Sequence, residues 1–496
     1  MPSSTAARAR LDLGTLLAAL ALALFAWGTV FDLGLFGWDT YPLIDAGRFA
    51  SWDEFAHSLS CELMDGRFPG GHYWRPLVHL SFGLDYALWG LDPFGYHLTD
   101  FLLLVLGTTL VVTLSRALLG EGRAGWAWFA GLVFVLHPVH FEVLSLPPRR
   151  ADSMALCFTL LALVLALRRP GQRSVGVALA SLAAVASKET GALAPGLVFG
   201  FVALTASGPR SERALAGLKS AWLALALVGL FLAVRSQVVG GIGGGAQLEV
   251  PNAAAMGSAG LRYAELVLAP LPPGWMRRGD FGVALGLAMV LVLAIGLWRA
   301  QPTSVRERTA IEPRSAALAV GTWMLALVAL TACSGVYRAW YALPLAAPLA
   351  LFVALAAASR WLSGGGGSVR VLGAIFVLAL LQGWASDSQT RWKEHEAASL
   401  AADGFLDHFD AVVRSLQPGS VAELAAEPPE GSASRHGEET RRALVFREYS
   451  LEAYAAIVHP GLRLRVDVRR EGQAQTPAPD EILVLLLPKA PASARN

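Results

Sequence analysis

Long apolar stretches recur along most of this 496-residue chain and constrain its fold more than any other feature. A helix needs ~20 mostly apolar residues to cross the hydrocarbon core of a bilayer, and shorter stretches can cross where the membrane thins. Eleven stretches with at most one charged residue meet this description: Leu13–Phe31, Tyr96–Ser115, Gly125–Phe141, Ala151–Leu167, Ser174–Ser187, Thr190–Leu204, Ser220–Val234, Phe281–Trp298, Ser315–Cys333, Ala339–Ser359 and Val371–Ala385. They predict an all-α polytopic membrane protein with about 11 transmembrane helices.

The composition supports this interpretation. Apolar residues make up 54% of the chain and charged residues only 16%, against ~25% charged residues in soluble domains. A soluble protein of this size could not remove so much apolar surface from water. The formal net charge of +2 shows no excess of positive charge, so we expect no nucleic-acid partner.

The distribution of Lys and Arg predicts the orientation. Connections on the side of the N-terminus carry more of these residues and are shorter, which favours a cytoplasmic N-terminus. An odd number of spans then places the C-terminal segment outside the cytoplasm. The high usage of Ala, Gly and Arg favours a bacterial inner membrane. Pro76–Leu91 is apolar but contains His79 and Asp85, which is typical of a helix in the membrane interface.

Polarity rises sharply after the last apolar stretch. We predict a transmembrane core over residues 1–385, with a long first extracytoplasmic loop over residues 32–95, and a small soluble α/β appendage over residues 386–496. Alternating and helical patterns predict the elements of the appendage: strands at Ala443–Phe446, Leu462–Val468 and Glu481–Leu487, and helices at Ala397–Leu416 and Leu451–Val458.

Dense polar motifs gather on the extracytoplasmic side of this topology. They are Gly37–Tyr41 and Gly71–Pro76 in the first loop, then His137–Glu142, Arg149–Asp152, Ser187–Thr190 and Tyr337–Tyr341 at the ends of spans. The cytoplasmic connections hold mainly Arg with Gly, Pro and Ser. Ionisable groups beside a membrane need a functional reason, so we expect an active site on the extracytoplasmic side of the membrane.

The residue types in these motifs suit glycosyl transfer from a lipid carrier. Outside the cytoplasm no nucleotide donor is available, and an activated sugar is carried on a polyprenyl phosphate. The phosphate leaving group needs Lys or Arg, and the acceptor hydroxyl needs a carboxylate as general base. Asp39 suits the role of the base, and Lys188 and Arg338 suit the phosphate.

Each residue also has a simpler interpretation. Asp39 could mark only the polar boundary of the first span, and Arg338 could be a snorkelling anchor. His137 and His140 share a helix face and could bind a metal, but no third ligand at a reliable spacing identifies one. The remaining charges could form pairs: Glu142 or Asp152 with Arg149 or Arg150, and Lys188 with Glu189.

Taken together, the motifs resemble the GT-C superfamily of membrane glycosyltransferases, and in particular the O-mannosyltransferases that carry tetratricopeptide repeats. The resemblance runs from about Phe36 to Lys393. The stretches that carry it most strongly are Tyr73–Leu77, Leu88–Leu98, His137–Val143, Arg150–Asp152 and Ser187–Thr190. The chain departs from the family pattern where Thr40 follows Asp39 in place of a second acid, in the stretch at Tyr337–Tyr341, and in lacking the repeats.

The resemblance implies a lipid-phosphate-sugar donor, an extracytoplasmic site and an essential acid in the first loop, a role that Asp39 takes here. Together with the residue chemistry, it predicts two groups of site residues. The catalytic group is Asp39, Glu142 and Asp152, and the substrate-binding group is Arg75, His137, His140, Arg150, Lys188, Glu189 and Arg338. No cofactor is expected to be required, and a divalent metal is not indicated.

The sequence thus predicts a glycosyltransferase that moves mannose or another hexose from a polyprenyl phosphate to a hydroxyl of a protein or glycan acceptor. Two alternatives stay open: a transporter or flippase of a lipid-linked substrate, and an inactive membrane scaffold that displays the appendage. The ionisable groups lie at the ends of spans and no internal repeat is visible, which favours the enzyme over a transporter.

Overall fold

The computed structural model describes residues 12–68, 72–120, 123–241, 252–268, 311–333, 338–358, 367–425, 446–469 and 476–487. The backbone groups into two compact units. The first unit is drawn from Met1–Gly28, Thr99–Leu144 and Arg149–Gln389, and the second from Thr29–Leu98, Ser145–Pro148 and Thr390–Asn496. The domain division predicted from composition, at residue 385, stays a prediction.

Apolar helices dominate the chain. Among the described residues, the α-helices up to Ser415 are Leu13–Trp27, Thr40–Gly47, Trp52–Ser60, Pro76–Trp89, Pro93–Leu119, Ala124–Val135, Phe141–Leu144, Arg150–Arg168, Val175–Ser187, Ala194–Thr205, Arg210–Val238, Ala253–Leu268, Pro313–Cys333, Leu343–Ala357 and Gly367–Ser415. An α-helix satisfies its own backbone hydrogen bonds, which is the condition for a segment surrounded by lipid. The predicted polytopic all-α class is confirmed.

Six helices in the described part of the chain are long and apolar enough to cross a membrane: Leu13–Asp32, Pro93–Leu119, Pro147–Arg168, Arg210–Val238, Pro313–Cys333 and Ala339–Ala357. The pair Ala124–Val135 and Pro138–Leu144 makes a seventh if it forms one span. Each of the seven overlaps a predicted span.

The other four predicted spans have different outcomes. Val175–Ser187 and Glu189–Thr205 are apolar helices shorter than 18 residues, and 13 residues rising about 1.5 Å each fall short of a ~30 Å hydrocarbon core. Val371–Ala385 lies inside the 49-residue helix Gly367–Ser415. Phe281–Trp298 lies outside the described residues. The number of eleven spans stays a prediction.

The third predicted span is bent by 43° near Pro138, between the helices Ala124–Val135 and Pro138–Leu144. Proline has no amide hydrogen, so the backbone at such a bend needs other partners. His137 Nδ1 accepts the amide of Val139 at 3.2 Å, and His140 Nε2 lies 2.8 Å from the carbonyl oxygen of Phe134. The two histidines therefore stabilise the bend.

In the second unit, the first loop is largely helical. The helix Thr40–Gly47, called here the first-loop helix, crosses the helix Pro76–Trp89 at Gly47 and Gly83. A Cβ atom on Gly83 would lie 2.4 Å from the Gly47 carbonyl oxygen, so only glycine permits this approach. The helix predicted at Pro76–Leu91 is confirmed, and its position in the membrane interface stays a prediction.

The appendage contains a small parallel sheet. Its strands are β1 (Val421–Ala425), β2 (Arg463–Val468) and β3 (Glu481–Leu487), in the order β1-β3-β2. The apolar β3 is the central strand, and Ile482 to Leu486 are buried, as expected for a strand covered on both faces. The appendage helix, Glu448–Val458, packs on this sheet, where Glu452 Oε1 accepts the amide of Val466 at 2.9 Å.

These elements confirm an α/β appendage. The predicted strands at Leu462–Val468 and Glu481–Leu487 and the helix at Leu451–Val458 are present, with small differences at their ends. The predicted helix Ala397–Leu416 is not a separate element but the last part of the long helix Gly367–Ser415. The strand Val421–Ala425 was not predicted. Most of the predicted strand Ala443–Phe446 lies outside the described residues.

Candidate active site

The first unit brings four of the polar motifs together through buried ion pairs and aromatic rings. Glu142 closes the motif that follows Pro138, and Arg149 begins the next one. Arg149 Nη1 donates to Glu142 Oε2 at 2.8 Å and to the Glu142 carbonyl oxygen at 2.7 Å. Glu142 is only 1% exposed, so this pair is largely screened from water and cannot be treated as a weak surface pair.

A second buried pair joins two motifs that are 36 residues apart in the sequence. Lys188 Nζ donates to both carboxylate oxygens of Asp152, each at 2.6 Å. Lys188 follows the helix Val175–Ser187 in extended backbone (φ −160°). The pair with Asp152 thus connects the end of this helix with the start of the helix Arg150–Arg168.

Two aromatic residues connect these pairs. The Arg149 guanidinium lies 4.0 Å from the centre of the Trp340 ring, and Lys188 Nζ lies 4.1 Å from the centre of the Tyr341 ring. Trp340 and Tyr341 are neighbours in one 3-10 turn, with ring centres 5.7 Å apart. We call Glu142, Arg149, Asp152, Lys188, Trp340 and Tyr341 the charged network. Cation–π contacts of this kind strengthen as water is excluded.

Two further pairs occur in the same unit. Arg150 Nε donates to Asp100 Oδ1 at 2.9 Å, and both side chains have no exposed surface. Arg235 Nη2 lies 3.7 Å from Glu189 Oε1, and Glu189 is half-buried. The pairing of Arg150 with Asp100 gives Arg150 a structural role, and its predicted substrate-binding role stays a prediction.

Arg338 begins the 3-10 turn that carries Trp340 and Tyr341. Its amide donates to the Tyr263 hydroxyl at 2.9 Å, and its side chain is half-buried. The adjoining Tyr337 lies outside the described residues. His137 and His140 are 1% and 4% exposed and bind backbone groups at the bend.

The second unit holds the predicted base. Asp39 precedes the first-loop helix and is half-buried, and its side chain makes no capping hydrogen bond to that helix. Its Oδ1 accepts a hydrogen bond from the Tyr449 hydroxyl at 3.0 Å. Burial raises the pKa of the Tyr449 phenol, and the negative charge of Asp39 raises it further. Tyr449 therefore stays protonated and acts as the donor.

Several other charges of the first loop have described partners. Asp45 accepts from Arg48 Nε at 2.8 Å through one oxygen and from Arg67 Nη1 at 2.5 Å through the other. The Arg75 guanidinium lies 4.7 Å from the centre of the Tyr73 ring, in the same predicted motif. Asp39 thus differs from Asp45, which is fixed between two arginines.

Comparisons with known proteins place this architecture. No protein-family model matches the chain. Among solved structures, ArnT from Cupriavidus metallidurans bound to undecaprenyl phosphate superposes with a TM-score of 0.51 at 15% identity, covering 90% of this chain and 88% of ArnT. The chain has the GT-C fold. This fold and the apolar helices together identify the chain as an integral membrane protein.

Curated relatives of this GT-C chain are O-mannosyltransferases. Protein O-mannosyl-transferase TMTC2 from Mus musculus is 45% identical over 91 residues, which is 18% of this chain and 11% of the relative. Protein O-mannosyl-transferase Tmtc1 from Drosophila melanogaster is 32% identical over 200 residues, or 38% of this chain and 23% of the relative. The chain thus spans less than a quarter of each of these relatives. The resemblance predicted from the motifs is confirmed.

One group in the described part of the GT-C chain has the residue types and spacing to hold a metal ion. His57, Cys61 and Asp65 place one ligand atom each within 4.8 Å of one another in the first loop. His57 and Asp65 are exposed, and they bond to each other at 2.9 Å. His137 and His140, which the sequence suggested as metal ligands, do not belong to this group.

Sequence reasoning missed several residues around the site. Asp100 and Arg235 were not considered as partners, although Asp100 is an acid inside an apolar span, which is itself a signal. Trp340 and Tyr341 lie in the predicted motif Tyr337–Tyr341, but neither was predicted as a site residue, whereas they contact Arg149 and Lys188. No local pattern around Tyr449 indicates its bond to Asp39.

Proposed function

We propose that this chain is a membrane glycosyltransferase that moves mannose or another hexose from a polyprenyl phosphate to a hydroxyl of a protein or glycan acceptor. The observation that carries the proposal is the convergence of four separate motifs on one buried charged network within a GT-C fold. ArnT binds undecaprenyl phosphate, which supports a polyprenyl-phosphate donor. The site would face the extracytoplasmic side of a bacterial inner membrane, with the N-terminus in the cytoplasm.

In this proposal the oxygen of the acceptor hydroxyl forms a bond to the anomeric carbon of the sugar, and Asp39 takes up the proton of that hydroxyl. The bond from that carbon to the phosphate oxygen breaks, and the polyprenyl phosphate leaves with the electron pair. Lys188 and Arg338 stabilise the departing negative charge. Asp152 fixes the position of the Lys188 ammonium group, and Glu142 fixes the position of the Arg149 guanidinium.

The direct test is turnover of a donor panel by the purified full chain. We expect one polyprenyl-phosphate hexose to release lipid phosphate when an acceptor is present. Because we expect no metal to be required, release should persist in a chelator. Movement of labelled lipid across proteoliposomes without release would instead indicate a flippase. No release from any donor, together with no movement of lipid, would indicate a scaffold.

The role of Lys188 can be separated from its role in stability. Lys188→Gln should lower turnover about 10²-fold, because the leaving phosphate loses a fixed positive charge. It should also destabilise the protein, because Asp152 is left as a buried charge without its cation. Turnover at saturating donor and the unfolding midpoint in detergent would measure the two effects.

The double variant Lys188→Gln with Asp152→Asn is the control, since it leaves no buried charge at this pair. Its stability should recover towards that of the unaltered protein while its turnover stays low. Recovery of turnover together with stability would show that Lys188 serves only the structure.

A further inference from the structure

We propose that Tyr449 is a positioning residue for Asp39, and that the C-terminal appendage thereby orients the proposed general base. This inference rests on the proposed function, in which Asp39 is the general base. The Tyr449 hydroxyl donates to Asp39 Oδ1 at 3.0 Å across 410 residues of sequence. Tyr449 is 8% exposed, so water competes little for this hydrogen bond.

The contact is one of three between the same two short segments. The Ser450 hydroxyl donates to the carbonyl oxygen of Trp38, and the Arg447 guanidinium lies 3.9 Å from the centre of the Trp38 ring. Three successive interactions from the start of the appendage helix thus reach Trp38 and Asp39. Such a set fixes both the distance and the direction of the Tyr449 hydroxyl.

The rest of the appendage helix holds this arrangement in place. The ring centre of Tyr41, in the first-loop helix, lies 5.0 Å from the ring centre of Tyr454. It lies 5.7 Å from the ring centre of Phe446, which precedes the appendage helix. Arg48 Nη2 donates to the carbonyl oxygen of Ala456 at 3.1 Å. The appendage helix therefore packs along the length of the first-loop helix, which has about two turns.

A hydrogen-bond donor that is fixed in this way has two consequences for a general base. It limits the rotation of the carboxylate, so that the carboxylate keeps the direction needed to meet the acceptor hydroxyl. It also favours the ionised form of the carboxylate, which is the form that accepts a proton. Tyr449 does neither by touching the acceptor, so it acts through Asp39.

Tyr449→Phe tests the inference, because the ring and its packing stay while the hydroxyl that donates the hydrogen bond is removed. With the donor that the full chain turns over, we expect kcat to fall about tenfold and the KM for the donor to stay unchanged. The acidic limb of the pH–rate profile should move to higher pH, because the ionised carboxylate loses a hydrogen-bond donor. A purely structural effect would not move that limb.

Tyr454→Phe is the matched control, since it removes a hydroxyl from the same helix and has no bond to Asp39 among the described contacts. We expect it to keep the kcat and the pH profile of the unaltered protein. Ser450→Ala should lower kcat in the same direction as Tyr449→Phe but less, because it loosens the same turn, and it serves if Tyr449→Phe does not fold.

A readout independent of turnover keeps the inference separate from the proposed function. Carbodiimide coupling of an amine to exposed carboxylates, read at Asp39 by mass spectrometry, should increase in Tyr449→Phe and stay unchanged in Tyr454→Phe. Equal labelling and equal pH profiles in the two variants would overturn the inference. Full activity of Asp39→Asn would instead overturn the base assignment, whatever Tyr449 does.

Discussion

Asp39→Asn should abolish sugar transfer while membrane insertion and donor binding stay intact. Asparagine has nearly the shape of aspartate, and its side-chain oxygen can still accept the hydrogen bond from Tyr449. It cannot take up a proton from the acceptor hydroxyl. General-base catalysis contributes about 10²- to 10⁴-fold, so we expect a loss of at least that size in the release of lipid phosphate at saturating donor.

Asp53→Asn is the matched control for this result. Asp53 lies in the same loop, in the first turn of the helix Trp52–Ser60, and is exposed to solvent. We expect the Asp53 variant to keep full turnover. If Asp39→Asn also turned over donor at the unaltered rate, a different group would have to be the base, and Asp39 would mark only the boundary of the first span.

Arg150→Met should cause the largest loss of stability. Arg150 and Asp100 form an ion pair with no exposed surface on either side chain. Methionine fills much of the space but leaves Asp100 as a buried charge without its partner. Removing one member of such a pair costs about 3–5 kcal/mol, which should lower the unfolding midpoint in detergent and the yield of folded protein.

Two variants control for this loss. Arg150→Met combined with Asp100→Leu removes both charges and should recover most of the stability, because an apolar pair can replace a buried ion pair. Arg116→Met breaks the pair with Asp12, in which Asp12 is 51% exposed, and should cost only about 0–1 kcal/mol. Unchanged stability in Arg150→Met, with turnover lost, would favour the predicted substrate-binding role of Arg150.

Contacts between residues that are close in the sequence could be predicted better than contacts between residues that are far apart in it. The pair of Glu142 and Arg149, seven residues apart, was among the pairs that the motifs suggested. The sequence offered Glu189 as one partner of Lys188, whereas Asp152, 36 residues away, accepts hydrogen bonds from Lys188 Nζ through both carboxylate oxygens. A choice between several acids of equal charge depends on the packing of whole helices, which no local pattern encodes.

The same limit applies to the spans. Hydropathy located every apolar helix in the described part of the chain, since the absence of charge is a property of the residues alone. It did not separate a full crossing from a short apolar helix such as Val175–Ser187, because an apolar helix inside a protein and one in lipid have similar sequences. The contact of Tyr449 with Asp39 depends on how a separate segment docks, and it lay beyond any reasoning from sequence.

The strand order of the appendage determines when its sheet can form during synthesis. β3, the last strand among the described residues, lies between β1 and β2 in the sheet. During translation, β1 and β2 are synthesised before the strand that joins them. Until then the helix that carries Tyr449 has no complete sheet to pack on. Under the proposed mechanism, Asp39 therefore lacks its positioned hydrogen-bond donor until β3 has been synthesised, and full transfer activity is expected only after that point.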